Sequence, residues 1–203
     1  MKVCLIFTKN ELSVNYDQMS FRDDHVGFIP PLNHCTVASI MENEGVEVEI
    51  LDMDVENLNY HQALERISKF SPDLLGFSIS TSNFRVLLSW IRAFKNETQI
   101  PIIVGGPHLA LYPKETMSHQ DIDYAIIGEA EIPLPKFLKA FQNRTSFSGI
   151  KSLAYRKNGE LFIDDTRQTL DDIDALPLPS RHLINNSLYS NILSRKKNFT
   201  ATY

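Results

Sequence analysis

The sequence predicts an α/β protein, a doubly wound parallel sheet with helices on both faces, and three observations carry that prediction. Short apolar runs of strand length alternate with helix-length segments along the first two thirds of the chain. The first, fourth and fifth of these runs are almost continuously apolar, as strands covered on both faces must be. A length of 203 residues, 43% of them hydrophobic and 22% charged, suffices for one good core plus an appendage.

Lys2 to Phe7, "KVCLIF", reads as a buried first strand. Leu32 to Glu44 is the first helix, stopped by Gly45 in the C-cap position. Val46 to Leu51, "VEVEIL", alternates apolar and acidic residues, as an edge or half-covered strand does. Asn59 to Phe70 is the second helix and ends before Ser71-Pro72. "DLLGFSIS" from Asp73 is the third strand, Asn83 to Lys95 the third helix, and "IPIIVGG" from Ile100 the fourth strand. "DYAIIG" from Asp123 is the fifth strand, and a helix from Ile132 to Phe141 closes the series. Repeated strand–helix–strand units imply crossovers and a parallel sheet. The alternating second strand suits an edge, so the expected order is 2-1-3-4-5, a Rossmann-like or flavodoxin-like five-stranded sheet.

The pattern changes after about residue 145. "SLAYRKNGELFIDD" holds two β-rich runs around Asn158-Gly159, a strong hairpin-turn signal. "DDIDALPLPSRHL" reads as a linker strapped onto a neighbouring surface, and "ILSRKKNFTATY" resumes a β-like alternation before the sequence stops as if cut. The expected division is therefore an α/β domain over 1–145 and a hairpin with linker over 146–203.

The formal net charge is -5 with no long run of one sign, which argues against nucleic acid or an anionic membrane as partner. No apolar stretch approaches the roughly 20 residues needed to span a bilayer. The N-terminus is too short in apolar residues for a signal peptide. Cys4 and Cys35 lie in apolar surroundings and read as buried thiols, so the expected location is cytoplasmic.

In an open parallel sheet, ligands bind beyond the carboxyl ends of the strands. There the sequence places Thr8, then Asp52, then Ser78, Ser80 and Thr81, then Gly105, Gly106, Pro107 and His108, then Gly128, Glu129 and Glu131. Two adjacent glycines among only eight allow a bulky ligand to approach the backbone, opposite a loop rich in uncharged hydroxyls. A glycine-rich phosphate loop after the first strand is missing, since the first glycine is Gly27; this speaks against a nicotinamide or flavin dinucleotide. A P-loop, a G-x-S-x-G elbow and metal-spaced Cys/His sets are absent too.

"PPLNHCTVASIMENEGVEVEILDMD", "PDLLGFSISTSN", "IPIIVGGPHLALYP" and "DYAIIGEAEIPLPKFLKAF", in this order and spacing, resemble the cobalamin-binding domain at the front of many radical S-adenosylmethionine enzymes. "SGIKSLAYRKNGELFIDD" and "LDDIDALPLPSRHL" resemble the hairpin and linker that lead to those enzymes' catalytic barrel. The resemblance implies a cobalamin lying across the strand ends. Ser78, Ser80 and Thr81 would serve its nucleotide tail, with His108 either a contact near that tail or a solvent-exposed loop histidine, and Gly105, Gly106 and Pro107 would pack beneath it. Gly128, Glu129 and Glu131 would face the corrin, with Pro31 and Leu32 nearby and Thr8 and Asp52 flanking. A valine at Gly106 would then fill the groove without disturbing the fold.

Classical cobalamin domains carry D-x-H-x-x-G, whereas "DDHVG" from Asp23 is one residue short of that spacing, so His25 is not expected to ligate cobalt. His34, His61, His119 and His182 read as surface or helix residues. Iron–sulfur clusters of the radical family need a C-x-x-x-C-x-x-C set, which two distant cysteines cannot supply. The resemblance therefore places the cluster and S-adenosylmethionine in a barrel in cis outside these residues, serving methyl transfer or oxidative cyclisation. The alternative reading is a scaffold of the same fold without a cofactor, to which the polar Asn33-His34 and Thr36 lend weight.

Overall fold

The computed structural model describes residues 1–9 and 28–189. Its strands are β1 (Lys2–Phe7), β2 (Glu47–Asp52), β3 (Leu74–Ser78), β4 (Ile102–Gly105), β5 (Tyr124–Ile126), β6 (Leu153–Lys157) and β7 (Glu160–Ile163). The helices are α1 (Leu32–Asn43), α2 (Tyr60–Phe70), α3 (Phe84–Thr98), α4 (Pro107–Leu111), α5 (Pro113–Ser118) and α6 (Pro133–Gln142). One sheet runs β2-β1-β3-β4-β5-β6-β7. The first five strands in that order pair in parallel, as expected, and β6 and β7 add antiparallel.

Here the expected architecture needs correction. The hairpin is not an appendage to a five-stranded sheet; it extends the sheet, with Tyr124 opposite Tyr155 and Ile126 opposite Leu153. At only three residues, β5 would otherwise leave its outer N–H and C=O groups as an open edge. Asn158 and Gly159 both take positive φ, 53° and 83°, as a type I′ turn requires.

Alternation along the strands sends side chains to two apolar layers. Cys4, Ile6, Leu75, Phe77, Ile102 and Val104 meet Ile67, Leu87, Ile91 and Phe94 of α2 and α3 on one face. Val3, Leu5, Leu74 and Ile103 meet Cys35, Ala38, Phe137 and Leu138 of α1 and α6 on the other. Burial on both faces accounts for the unbroken apolar runs. Edge strand β2 keeps its acidic alternation because Glu47 faces solvent, and Glu49 with Glu56 holds Arg66. Helix α2 starts in a full capping box, Asn59 with Gln62. Helices α4 and α5 stand where the sequence suggests loop; each opens on a proline whose missing N–H costs nothing in a first turn.

The linker does strap itself onto the domain. Ser180 N donates to the Cys35 carbonyl at 3.0 Å, the Ser180 hydroxyl donates to Glu42, and His182 Nε2 meets Glu42 at 2.9 Å. Ile184 and Tyr189 are buried in the α1 face. Tyr189 donates its hydroxyl to Asp52 Oδ2 at 2.8 Å, and burial of Asp52 raises its pKa. Both cysteines are buried free thiols, and burial pushes Cys35 up to about 11. The terminal "ILSRKKNFTATY" alternation lies outside the described residues. Replacing Tyr189 with Phe orphans one bond of a buried carboxylate and should cost about 1–3 kcal/mol, read as a lower urea midpoint with unchanged slope.

Candidate cofactor site at the carboxyl ends of the strands

Parallel strands all end at one rim, so the loops after β1, β3, β4 and β5 converge there. Ser78 and Gly105 are paired neighbours, the last residues of β3 and β4. The two strand exits then interlock: Ile79 N donates to the Gly105 carbonyl at 2.8 Å, and His108 N donates to the Ile79 carbonyl at 3.1 Å.

That interlock separates the two glycines. Gly106 has φ 107°, and a Cβ there would sit 2.6 Å from the Ile79 carbonyl oxygen and 3.0 Å from Ser78 Oγ. Glycine is required by the chain's own backbone at this point, so the expectation that Gly106→Val spares the fold does not hold. A Cβ on Gly105, in contrast, would meet none of the described residues within 4 Å, and the same is true of Gly128. The open space therefore lies over Gly105 on the α1 and α6 side of the sheet, the side Ser78 also faces.

The hydroxyl loop is partly turned on itself. Ser80 Oγ pairs with Ser82 Oγ at 2.9 Å, and Ser80 N donates to Asn83 Oδ1 at 2.8 Å ahead of α3. Thr81 Oγ1 lies 3.0 Å from His108 Nδ1. His108 is buried in α4, its ring 4.1 Å from that of Phe84, with Nε2 lacking a partner among the described residues. Pro107 is exposed at the first turn of α4. Glu129 is exposed, and Glu131 keeps a buried Oε2 without a partner among the described residues. Pro31, buried, and Leu32 begin α1; Thr8 follows β1, half-buried.

Asp52 is drawn elsewhere. Its carboxylate accepts from Asp54 N, Val55 N and Tyr189 and lines a cavity of about 210 Å3 beneath the strap. His25 lies outside the described residues, and among the described ones no three His, Cys, Asp or Glu are placed to hold a metal. No described helix is long and apolar enough to cross a membrane.

Two residues at this rim went unassigned by sequence reasoning. Asn33 Nδ2 donates to Ser78 Oγ at 3.2 Å, bridging α1 to β3, and its Oδ1 lies 3.0 Å from His34 Nδ1. His34 is a helix residue as expected but buried, edge-on to Phe7 at 5.5 Å, with Nε2 lacking a hydrogen-bond partner among the described residues. Burial holds its imidazole down at about 4. The signal was their position, polar residues in the first turn of a helix whose N-terminus overlies the strand ends.

Residues 24–138 match the model of the B12 binding domain. The chain belongs to the B12 binding domain family. Among curated proteins it is 29% identical over 157 residues to an uncharacterized methyltransferase of Pyrococcus horikoshii, covering 76% of this chain and 34% of that one. It is 23% identical to the anaerobic magnesium-protoporphyrin IX monomethyl ester cyclase of a Synechocystis strain, over 72% of this chain and 30% of that one. The chain thus spans about a third of the length of these relatives. In fold it is similar to the radical S-adenosylmethionine methyltransferase TsrM of Kitasatospora setae solved with cobalamin and a [4Fe-4S] cluster, with TM-score 0.62 at 19% identity over 79% of this chain and 30% of that one. The cobalamin-dependent radical enzyme OxsB, solved with aqua-cobalamin, gives TM-score 0.65 at 18% identity over 88% of this chain and 24% of that one.

Two outcomes follow from the B12-domain geometry. Gly106→Ala should lose about 1–3 kcal/mol to a backbone only glycine adopts, whereas Gly105→Ala should leave the melting temperature unchanged. For His34, the folded pKa of about 4 lies below the ordinary 6.5, so the native state binds fewer protons. Its contribution is full above 6.5 and is lost as pH falls towards 4, up to about 3 kcal/mol. His34→Gln should flatten that part of the pH–stability curve relative to wild type.

Proposed function

We propose that this domain binds cobalamin across the carboxyl ends of β1, β3, β4 and β5, within a radical S-adenosylmethionine enzyme whose catalytic barrel lies in cis. The observation that carries the reading is the open space over Gly105 beside Ser78 at the strand ends, in a chain of the B12 binding domain family. A corrinoid's fit rests on uncharged donors and room for a ring, which Ser78, Asn33, Gly105 and Gly128 supply.

On this reading Ser78 and Gly105 hold the tail, Gly128, Glu129 and Glu131 line the corrin side, and Thr81 with His108 supports the β3 and β4 loops. Pro31, Leu32 and Thr8 close the β1 side; Ser80, Gly106 and Pro107 shape the loops. Residues 1–145 form the binding unit and 146–203 lead towards the barrel, which would hold the iron–sulfur cluster and S-adenosylmethionine. Bound cobalamin would supply an alkyl-carrying cobalt centre; the protein's part is to hold and orient it. Methyl transfer or oxidative cyclisation is the reaction proposed for the whole protein. Because "DDHVG" misses the D-x-H-x-x-G spacing by one residue, the proposed binding mode is one without a protein ligand to cobalt.

Titration with hydroxocobalamin, followed by visible spectrum and calorimetry, should show saturable one-to-one binding and no histidine-ligand signature. Gly105→Leu should weaken binding at least tenfold with an unchanged melting temperature; wild-type protein that takes up no corrinoid would leave the cofactor-free scaffold as the better account.

A further inference from the structure

The strap that follows the hairpin is held differently from the sheet beneath it. From Ser180 to Tyr189 it adds no strand to the sheet and forms two single 3-10 turns, Arg181–Leu183 and Asn186–Leu188. Two grips fasten it. At α1, Ser180 N donates to the Cys35 carbonyl, while Glu42 accepts from the Ser180 hydroxyl and meets His182. At the end of β2, the buried Tyr189 donates to Asp52. Between the grips lies the cavity of about 210 Å3, lined by Asp52, Glu56 and Arg66 from the domain and by Ile184 and Tyr189 from the strap. A covering with few anchors over an unfilled, polar seat opens at far lower cost than a sheet covered on both faces.

Both grips lie one step from the rim. Cys35 N donates to the Pro31 carbonyl at 3.1 Å, so the Ser180 bond closes on the first turn of α1. Asp52 stands opposite Phe7, the last residue of β1, and Met53 N donates to the Phe7 carbonyl at 2.9 Å. The Phe7 ring in turn meets His34 of α1 at 5.5 Å. Docking therefore restrains the start of α1 and the end of β1 together, and undocking removes both restraints.

Resting on the reading that the rim takes a corrinoid, we infer that the strap is a latch whose docking and cofactor binding stabilise each other. With the strap docked, Pro31, Leu32 and Thr8 are already in place at the rim. With it lifted, binding must also order them, and affinity falls. The effect is reciprocal: the factor by which undocking weakens corrinoid binding is the factor by which a bound corrinoid protects the strap.

Hydrogen exchange of the full chain, read by mass spectrometry with and without saturating hydroxocobalamin, tests this without any variant. Amide exchange in peptides covering 180–189 should slow about tenfold when the corrinoid is bound. Combining Ser180→Ala, His182→Ala and Tyr189→Ala removes both grips and touches none of the residues proposed to hold the corrinoid. Strap peptides of that variant should exchange as freely as an unstructured chain, and those of β3 and β4 as in wild type. Its dissociation constant for hydroxocobalamin should rise by the same factor, about tenfold. Leu178→Ala, at a residue 89% exposed just ahead of the strap, should change neither quantity. Strap exchange indifferent to a bound corrinoid, or an undocked variant with wild-type affinity, would overturn the inference while the functional reading stands. Wild type that binds no hydroxocobalamin would instead remove the functional reading and the inference with it.

Discussion

The rim of this sheet depends on one close approach, that of Gly106 to the backbone of Ile79. A side chain at Gly106 would collide with the Ile79 carbonyl at 2.6 Å, and that carbonyl accepts from His108 N. Because the two strand exits lie this close, β3 and β4 deliver Ser78 and Gly105 side by side, and Thr81 comes within reach of His108. The double glycine thus does two different jobs. One residue lets protein meet protein; over the other, none of the described residues comes within reach of a Cβ.

The fold was legible because burial on two faces writes itself into composition. Continuous apolar runs marked β1, β4 and β5, and the alternating "VEVEIL" marked β2 as an edge, where Glu47 indeed stays in water. Turn chemistry marked the hairpin at Asn158-Gly159. What periodicity could not say is where that hairpin docks, since pairing with β5 is a long-range event with no local signature. Helices α4 and α5 escaped for a related reason: five and six residues are too few to show a helical period, and their prolines read equally as loop. At the site, residue types were legible but orientation was not. Asp52 looked like a ligand residue because strand ends bind ligands, yet Tyr189, 137 positions away, claims its carboxylate. His34 looked like any helical histidine because burial of one side chain is set by tertiary packing on Phe7.

Helix α1 is the element on which these threads meet. Near its first turn Asn33 reaches Ser78, and near its last turn Glu42 accepts from Ser180 and pairs with His182 of the strap. Its middle is packed into the core through Cys35, Ala38 and Met41. A helix anchored in this way moves as a unit, because packed interiors yield little to local strain. The strap that ends in the buried Tyr189 and the amide that bonds to Ser78 therefore share one rigid support. Position at the rim is set as much by the residues after β7 as by the sheet itself, which is why a boundary drawn near residue 145 divides the sequence more cleanly than it divides the structure.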